Sequence, residues 1–333
     1  MKISRIGKVV LGLLIAAFGL YIFLKDVEID RLVSELQATR VHALLLVSIL
    51  AILTIYLRSV RWRFILPDLP DTTKKNLFNN VAIGFMLNNI LPARLGEVAR
   101  VFILWRKNRF PVAVCVGTLI LERIIDLCMF FIFFFIPIFI LPQCSDLLPF
   151  GFITAGITLC TILFFVFYRL FQNQTVALGK WLAGKAPLRF QTKIKKIGWE
   201  LASNIGWLSS LKRTGLVILF SFLTTLCYPL MIIILAGNST MPFGLLEGMF
   251  AQAFAAFGAA IPLAPGYVGT IHAVMLQGLS ILGMDDDQGR ALVILYHILN
   301  YIPVTILGLI LFFRTNLSFR EIAEAKDIID REE

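Results

Sequence analysis

Residues 88–100 read NNILPARLGEVAR, and they interrupt an apolar region that runs from 77 to 104. Arg94, Glu97 and Arg100 follow Pro92 and flank Gly96 in a place where the neighbouring residues are those of a membrane helix. A charged side chain at the bilayer centre costs at least about 2.5 kcal/mol, so such residues face the protein interior and pair with one another. Either this stretch is a loop between two complete spans, or it is the broken tip of a helical hairpin that enters the membrane and leaves by the same face.

Composition decides the surroundings. With 58% hydrophobic and 16% charged residues and a mean hydropathy of +0.84, the chain lies outside the range of soluble domains. It reads as an all-α integral membrane protein, a polytopic helix bundle, because several apolar runs approach or exceed the about 20 residues that a helix needs to cross the hydrocarbon core. The net charge of +10 does not point to nucleic acid: the basic residues cluster in short segments beside apolar runs, where they orient spans and meet anionic headgroups.

Nothing suggests an enzyme, a metal or a cofactor. Cys115, Cys128, Cys144, Cys160 and Cys227 show no CxxC spacing, His42, His272 and His297 stand far apart, and no HExxH, GxSxG or P-loop string occurs. The N-terminal apolar run is followed by Lys25, Asp26 and Glu28 rather than a small-residue cleavage site, and so reads as a retained span.

Six spans are expected, at 9–24, 42–57, 111–141, 150–168, 215–237 and 291–313. Two further apolar regions, 77–104 and 245–284, are broken at LPARLG and IPLAPGYVG. The positive-inside rule places Lys2, Arg5, Lys8, then Arg58, Arg61, Arg63, Lys74 and Lys75, then Arg106, Lys107 and Arg109, the basic loop 172–213, and Arg314 on the cytoplasmic side. Segments 25–40, Asp146, 238–243 and Asp285 to Asp287 fall outside. Both flanks of each broken region then lie on one side, which makes them re-entrant hairpins entering from opposite faces, an inverted arrangement pointing to a midplane site. A plain bundle of eight to ten spans remains the alternative. Pro92 and Gly96 would be the hinge of the first hairpin, and Pro262, Pro265, Gly266 and Gly269 that of the second.

The charges supply the candidate site. Arg94, Glu97 and Arg100 share a helix face, and Glu122, Arg123 and Asp126 lie about 17 Å beyond Pro111, near mid-membrane. Three cations and three anions make a formally neutral network that either fixes helix packing or binds an anionic headgroup. Arg123 and Asp126, three apart, read as a pair. His272, after the second break, is a hydrogen-bonded packing residue or a headgroup contact, and His297 with Asn300 and Tyr301 is similar. The loop 172–213 is an amphipathic surface helix or an ordinary basic loop.

The strings LPARLGEVAR, LERIIDL and APGYVGTIH, in that order, resemble the flippase-like membrane domain of lysylphosphatidylglycerol synthases and the related stand-alone membrane proteins. The resemblance covers roughly 8–313; one transmembrane domain is expected over 1–317 with a short amphipathic cytoplasmic tail over 318–333, in a multi-pass protein of a prokaryotic inner membrane whose termini the positive-inside rule puts in the cytoplasm. It implies movement of a phospholipid or polyprenyl-linked lipid between leaflets, with Arg94, Glu97, Arg100, Glu122, Arg123 and Asp126 at the substrate; His272 joins these candidates from its position after the second break rather than from the resemblance. The third motif departs from a common family form, PGGLGxxE, having Tyr267 for the second glycine and His272 for the acid. Two other readings stay open: an ion-coupled transporter of small solutes, and a non-transporting membrane partner of a lipid- or glycan-modifying enzyme. A homodimer is a further open arrangement.

Overall fold

The computed structural model describes residues 21, 23, 27–67, 74–91, 95–108, 110–171, 174, 177, 181, 206–238, 241–260, 265–315 and 321. Among these residues the helices of chain order are α1 (Ile29–Ala38), α2 (Val41–Ile65), α3 (Lys74–Ile90), α4 (Leu95–Asn108), α5 (Val112–Ile140), α6 (Leu148–Leu170), α7 (Leu211–Leu235), α8 (Leu245–Ala260), α9 (Thr270–Ile281) and α10 (Asp286–Phe313), with no strand among the described residues. The protein is an all-α polytopic membrane protein: five helical segments, Val41–Ile65, Val112–Ile140, Pro142–Leu170, Leu211–Leu235 and Asp286–Phe313, are long and apolar enough to span a bilayer. Most of the expected first span at 9–24, of the loop 172–213 and of the tail lies outside the described residues, as do Pro92, Arg94 and Pro262.

The largest shift of an expected boundary is in the second span; the spans expected from 215 and 291 also start earlier, at Leu211 and Asp286. The second span was expected to end at 57, but α2 continues to Ile65 and is capped at Leu66, just before Pro67. Arg58 and Arg61, read from sequence as loop signals, are therefore buried helix residues. Arginine is tolerated there because carboxylates of α5 meet both side chains.

The two broken regions are helical hairpins. α3, α4, α8 and α9 hold 17, 14, 16 and 12 residues, which at 1.5 Å per residue makes each about 18 to 26 Å long, short of the about 30 Å hydrocarbon core. In the first pair, Gly84 lies against Gly96 and Arg100 while Asn88 lies against Gly96, so the helices run antiparallel. The Asn80 side-chain amide also donates to the Arg100 carbonyl at 3.1 Å. In the second pair Gly258 meets Thr270 and Ile271, and Phe254 meets Gly278, again antiparallel. Phe130 and Phe134 of α5 hold this second hairpin through the ring of Phe257, at centroid separations of 4.9 and 5.1 Å, both edge-on.

Both hairpin tips meet α10 near its middle. Asn89, at the end of α3, donates to the Thr305 hydroxyl at 2.8 Å, and its carbonyl accepts from the Tyr301 hydroxyl at 2.6 Å. The Gly266 carbonyl, in the turn between α8 and α9, lies 2.9 Å from His297 Nε2. The approaches come from opposite ends of α10: Ala82 and Met86 pack on Gly308, whereas Leu276 and Leu279 pack on Gly289.

Helix ends gather in two layers. In one, the Arg213 guanidinium at the start of α7 donates to the Leu66 carbonyl at 3.2 Å, and Arg106 at the end of α4 pairs with Glu321 beyond α10. In the other, Leu141 and Cys144 cluster with Phe243 and Leu282, while Ala236 and Met284 share a small cavity with Glu35 and Thr39. Basic residues are concentrated in the first layer, which makes it the expected cytoplasmic one under the positive-inside rule. On a cysteine-free background in intact cells, an impermeant thiol reagent is expected to label Asp286→Cys, and to label Ser210→Cys only after permeabilisation. The reverse pattern would overturn this orientation.

Candidate functional site

Four helices build one ion cluster. Arg100 of α4 and Glu122 of α5 form a two-pronged guanidinium–carboxylate pair, with both N–H donors 2.9 Å from the two oxygens. This geometry is the strongest form of the interaction. The Arg100 guanidinium lies 4.2 Å from the Trp62 ring centroid, and the Trp62 indole N–H donates to the Thr118 hydroxyl at 3.2 Å. Arg61 of α2 reaches both acids of α5, lying 2.5 Å from Asp126 and 3.5 Å from Glu122, and donates to the Ser221 hydroxyl of α7 at 3.3 Å. Arg58, one turn earlier, donates to Asp126 at 2.9 Å and to the Tyr228 hydroxyl at 3.3 Å, with its guanidinium 5.2 Å from the Phe85 ring. Arg123 is 2.6 Å from Glu122, 3.4 Å from Asp126 and 4.0 Å from Glu97 of α4.

Exposure grades across the cluster. The Arg61 and Glu122 side chains are 0% exposed, whereas Arg123 and Glu97 are 39% and 33% exposed. These two form the accessible rim, at the seam of α4 and α5.

The sequence expectation is met in part and corrected in part. Glu97, Arg100, Glu122, Arg123 and Asp126 do come together. Arg123 and Asp126 do pair, but Asp126 is not left alone when Arg123 is removed, because Arg58 and Arg61 hold it more closely. The expected charge balance also changes: Arg58, Arg61, Arg100 and Arg123 face Glu97, Glu122 and Asp126, an excess of one positive charge among the described residues. Nε of Arg58, Arg61, Arg100 and Arg123, together with Arg61 Nη2, are buried donors with no hydrogen-bond acceptor. A buried donor without an acceptor is costly. The signal that would have found Arg58 and Arg61 is the absence of any Gly or Pro between 42 and Pro67, which lets the helix run on.

Gly96 is not a hinge. It is the second residue of α4, where a Cβ would strike the Gly84 carbonyl and the Asn88 side chain, so it serves the close approach of α3 and α4. In the second hairpin the turn begins at Pro265, and Gly266 and Gly269 have φ of 61° and 84°, a region that glycine enters without steric cost. Tyr267 shares it at φ 59°, which is strained for a residue with a Cβ. His272 lies away from the ion pairs, within this turn's hydrogen bonds: its Nδ1 accepts from the Gly269 N–H at 3.1 Å, and its Nε2 is 3.2 Å from His297 Nδ1.

Two antiparallel helical hairpins that meet on one spanning helix, beside a buried arginine–carboxylate cluster, define a polytopic membrane protein built around an interior polar site. Within that class the chain belongs to the family of the lysylphosphatidylglycerol synthase TM region, whose model matches residues 9–308. Similar curated proteins include the UPF0104 membrane protein MJ1595 of Methanocaldococcus jannaschii, 25% identical over 93% of this chain and 95% of the relative. The UPF0104 membrane protein MJ1078 of the same organism is 23% identical over 68% of this chain and 93% of its own length.

Proposed function

We propose that this protein moves an anionic, phosphate-bearing lipid between leaflets, the headgroup passing the arginine cluster while the tails stay in the bilayer. One observation carries the reading: the cluster holds one more guanidinium than carboxylate, has buried N–H donors without acceptors, and exposes Arg123 at the α4–α5 seam. A phosphate offers oxygens in the geometry that guanidinium forks favour. Membership of the lysylphosphatidylglycerol synthase TM region family supports a lipid as the cargo. The meeting of both hairpin tips at the middle of α10 supports their reading as re-entrant, with tips at mid-membrane. Arg94, which immediately precedes α4, is a further candidate headgroup ligand on this reading.

Reconstitution tests it. In proteoliposomes carrying fluorescent phosphatidylglycerol, a polyprenyl phosphate or a zwitterionic lipid, the parent is expected to flip at least one phosphate-bearing anionic lipid. Arg123→Gln removes the excess charge from a rim position, so it is expected to melt near the parent temperature while flipping falls about tenfold or more, the loss of one charge-assisted hydrogen bond. An Arg123→Gln protein that melts normally and flips at the parent rate, or a parent that moves small anions and no lipid, would overturn the proposal.

A further inference from the structure

His272 on α9 and His297 on α10 are outside the ion cluster, and the hydrogen bonds around them form one closed chain. The Gly269 N–H donates to His272 Nδ1 at 3.1 Å, the two rings meet Nε2 to Nδ1 at 3.2 Å, and His297 Nε2 lies 2.9 Å from the Gly266 carbonyl. The ends of the chain fix the tautomers. A carbonyl only accepts, so His297 Nε2 carries a hydrogen; an amide N–H only donates, so His272 Nδ1 carries none. With both rings neutral, His272 donates from Nε2 to His297 Nδ1, and three contacts use three hydrogens. Every contact is satisfied in that state and in no state with a further proton.

One added proton makes four hydrogens for three contacts. The surplus cannot be absorbed at Gly266, whose contact already has its donor. It therefore falls either between the rings, setting N–H against N–H, or, after the His272 tautomer changes, against the Gly269 N–H that caps α9. In the first case α9 loses its bond to α10, and in the second the turn loses the bond that caps α9, while the Gly266 carbonyl keeps its donor from α10. That turn includes Tyr267 at φ 59°, a strained conformation that the surrounding bonds must hold. A side chain at Gly266 would strike the Tyr301 ring, and the Tyr301 hydroxyl donates to the Asn89 carbonyl, so the turn adjoins the tip of the other hairpin.

The groups facing the pair do not balance a charge. The Tyr301 ring lies edge-on to His297 at 5.5 Å, and the Phe23 ring lies 5.0 Å from His272. Arg290, earlier on α10, donates to the Phe23 carbonyl and is held by Asp287 at 2.9 Å and Asp286 at 3.7 Å. Tyr296, beside His297 in sequence, donates to Gln252 of α8 at 2.6 Å. No carboxylate forms an ion pair with either histidine among the described residues.

We propose that His272 and His297 form a proton-binding site at the seam of α9 and α10, and that uptake of a single proton breaks one bond of the chain that holds the α8–α9 turn and the start of α9. The site would couple hairpin movement to a proton, and it stands whether or not the cargo is a lipid.

The test needs no transport assay. Full-length protein carrying His42→Gln, with only these two histidines left, is labelled with nitrogen-15 histidine in nanodiscs and titrated from about pH 8 to about pH 5. Both rings are expected as the Nε2–H tautomer at the high end, then a shared one-proton transition. Hydrogen exchange of a peptide covering 265–272, corrected for intrinsic rate, is expected to rise about tenfold or more across that transition. In the double variant His272→Gln with His297→Gln, each amide still offers one acceptor and one donor, so exchange is expected to stay low throughout. Rings that charge independently, rings that never charge, or a transition with unchanged exchange at 265–272 would overturn the proposal, and those readouts hold even if the double variant does not fold.

Discussion

Glu122→Leu is expected to destabilise the protein by about 3–5 kcal/mol, the usual consequence of removing one partner from a buried ion pair. Glu122 is wholly buried and is the shared acceptor for Arg100, Arg61 and Arg123. Without it Arg100 has no carboxylate partner among the described residues, and its side chain is too enclosed, 2% exposed, to reach water. The double change Arg100→Met with Glu122→Leu removes both charges while keeping volume beneath Trp62, and is expected to recover most of the loss. Arg61 and Arg123 still have Asp126 in that variant. Melting curves in detergent, with unfolding followed by tryptophan fluorescence, check the order. A single variant as stable as the parent, or a double variant no better than the single, would show that the pair does not carry this role.

Gly96→Leu is expected to abolish the folded protein, with the loss appearing as little or no monodisperse material after extraction. A Cβ at Gly96 would overlap the backbone carbonyl of Gly84, and backbone in the partner helix cannot turn aside as a flexible side chain does. The helices would separate along the seam that seats Arg100, since the Arg100 stem itself fills the space beside Gly84. Gly156→Leu is the matched control: a Cβ at that position on α6 meets nothing within 4 Å, and this variant is expected to be extracted like the parent. Normal yield and melting for Gly96→Leu would mean that α3 and α4 do not pack this closely.

Much of the architecture was legible in the residues because a bilayer narrows the choices. Every backbone group must be satisfied within a span, so apolar length alone announces helices. Pro111 to Leu141 was delimited correctly from composition, α5 covering Val112–Ile140, and the Gly/Pro strings marked where α3 gives way to α4 and α8 to α9. Glu97, Arg100, Glu122, Arg123 and Asp126 were found as a group because charge in an apolar run has no other resting place than a paired interior.

The remainder depends on contacts between residues far apart in the chain. Arg58 and Arg61 looked like orientation signals since their distance from the membrane end is set by where α2 stops, and by acids 61 to 68 residues away that neutralise them. Gly96 looked like a hinge, yet its use is a helix contact that only the fold of α3 onto α4 defines. His272 and His297 are 25 residues apart, and no spacing rule brings them together; α9 must turn back along α10 before one imidazole can donate to the other. By itself the sequence determined which segments are helical and that charges inside apolar runs must gather with partners, because both follow from the cost of exposing polar groups to hydrocarbon. Which charge meets which, and which glycine is a turn rather than a contact, was decided by tertiary packing, because hydrogen bonds and ion pairs act only within a few ångströms of three-dimensional space.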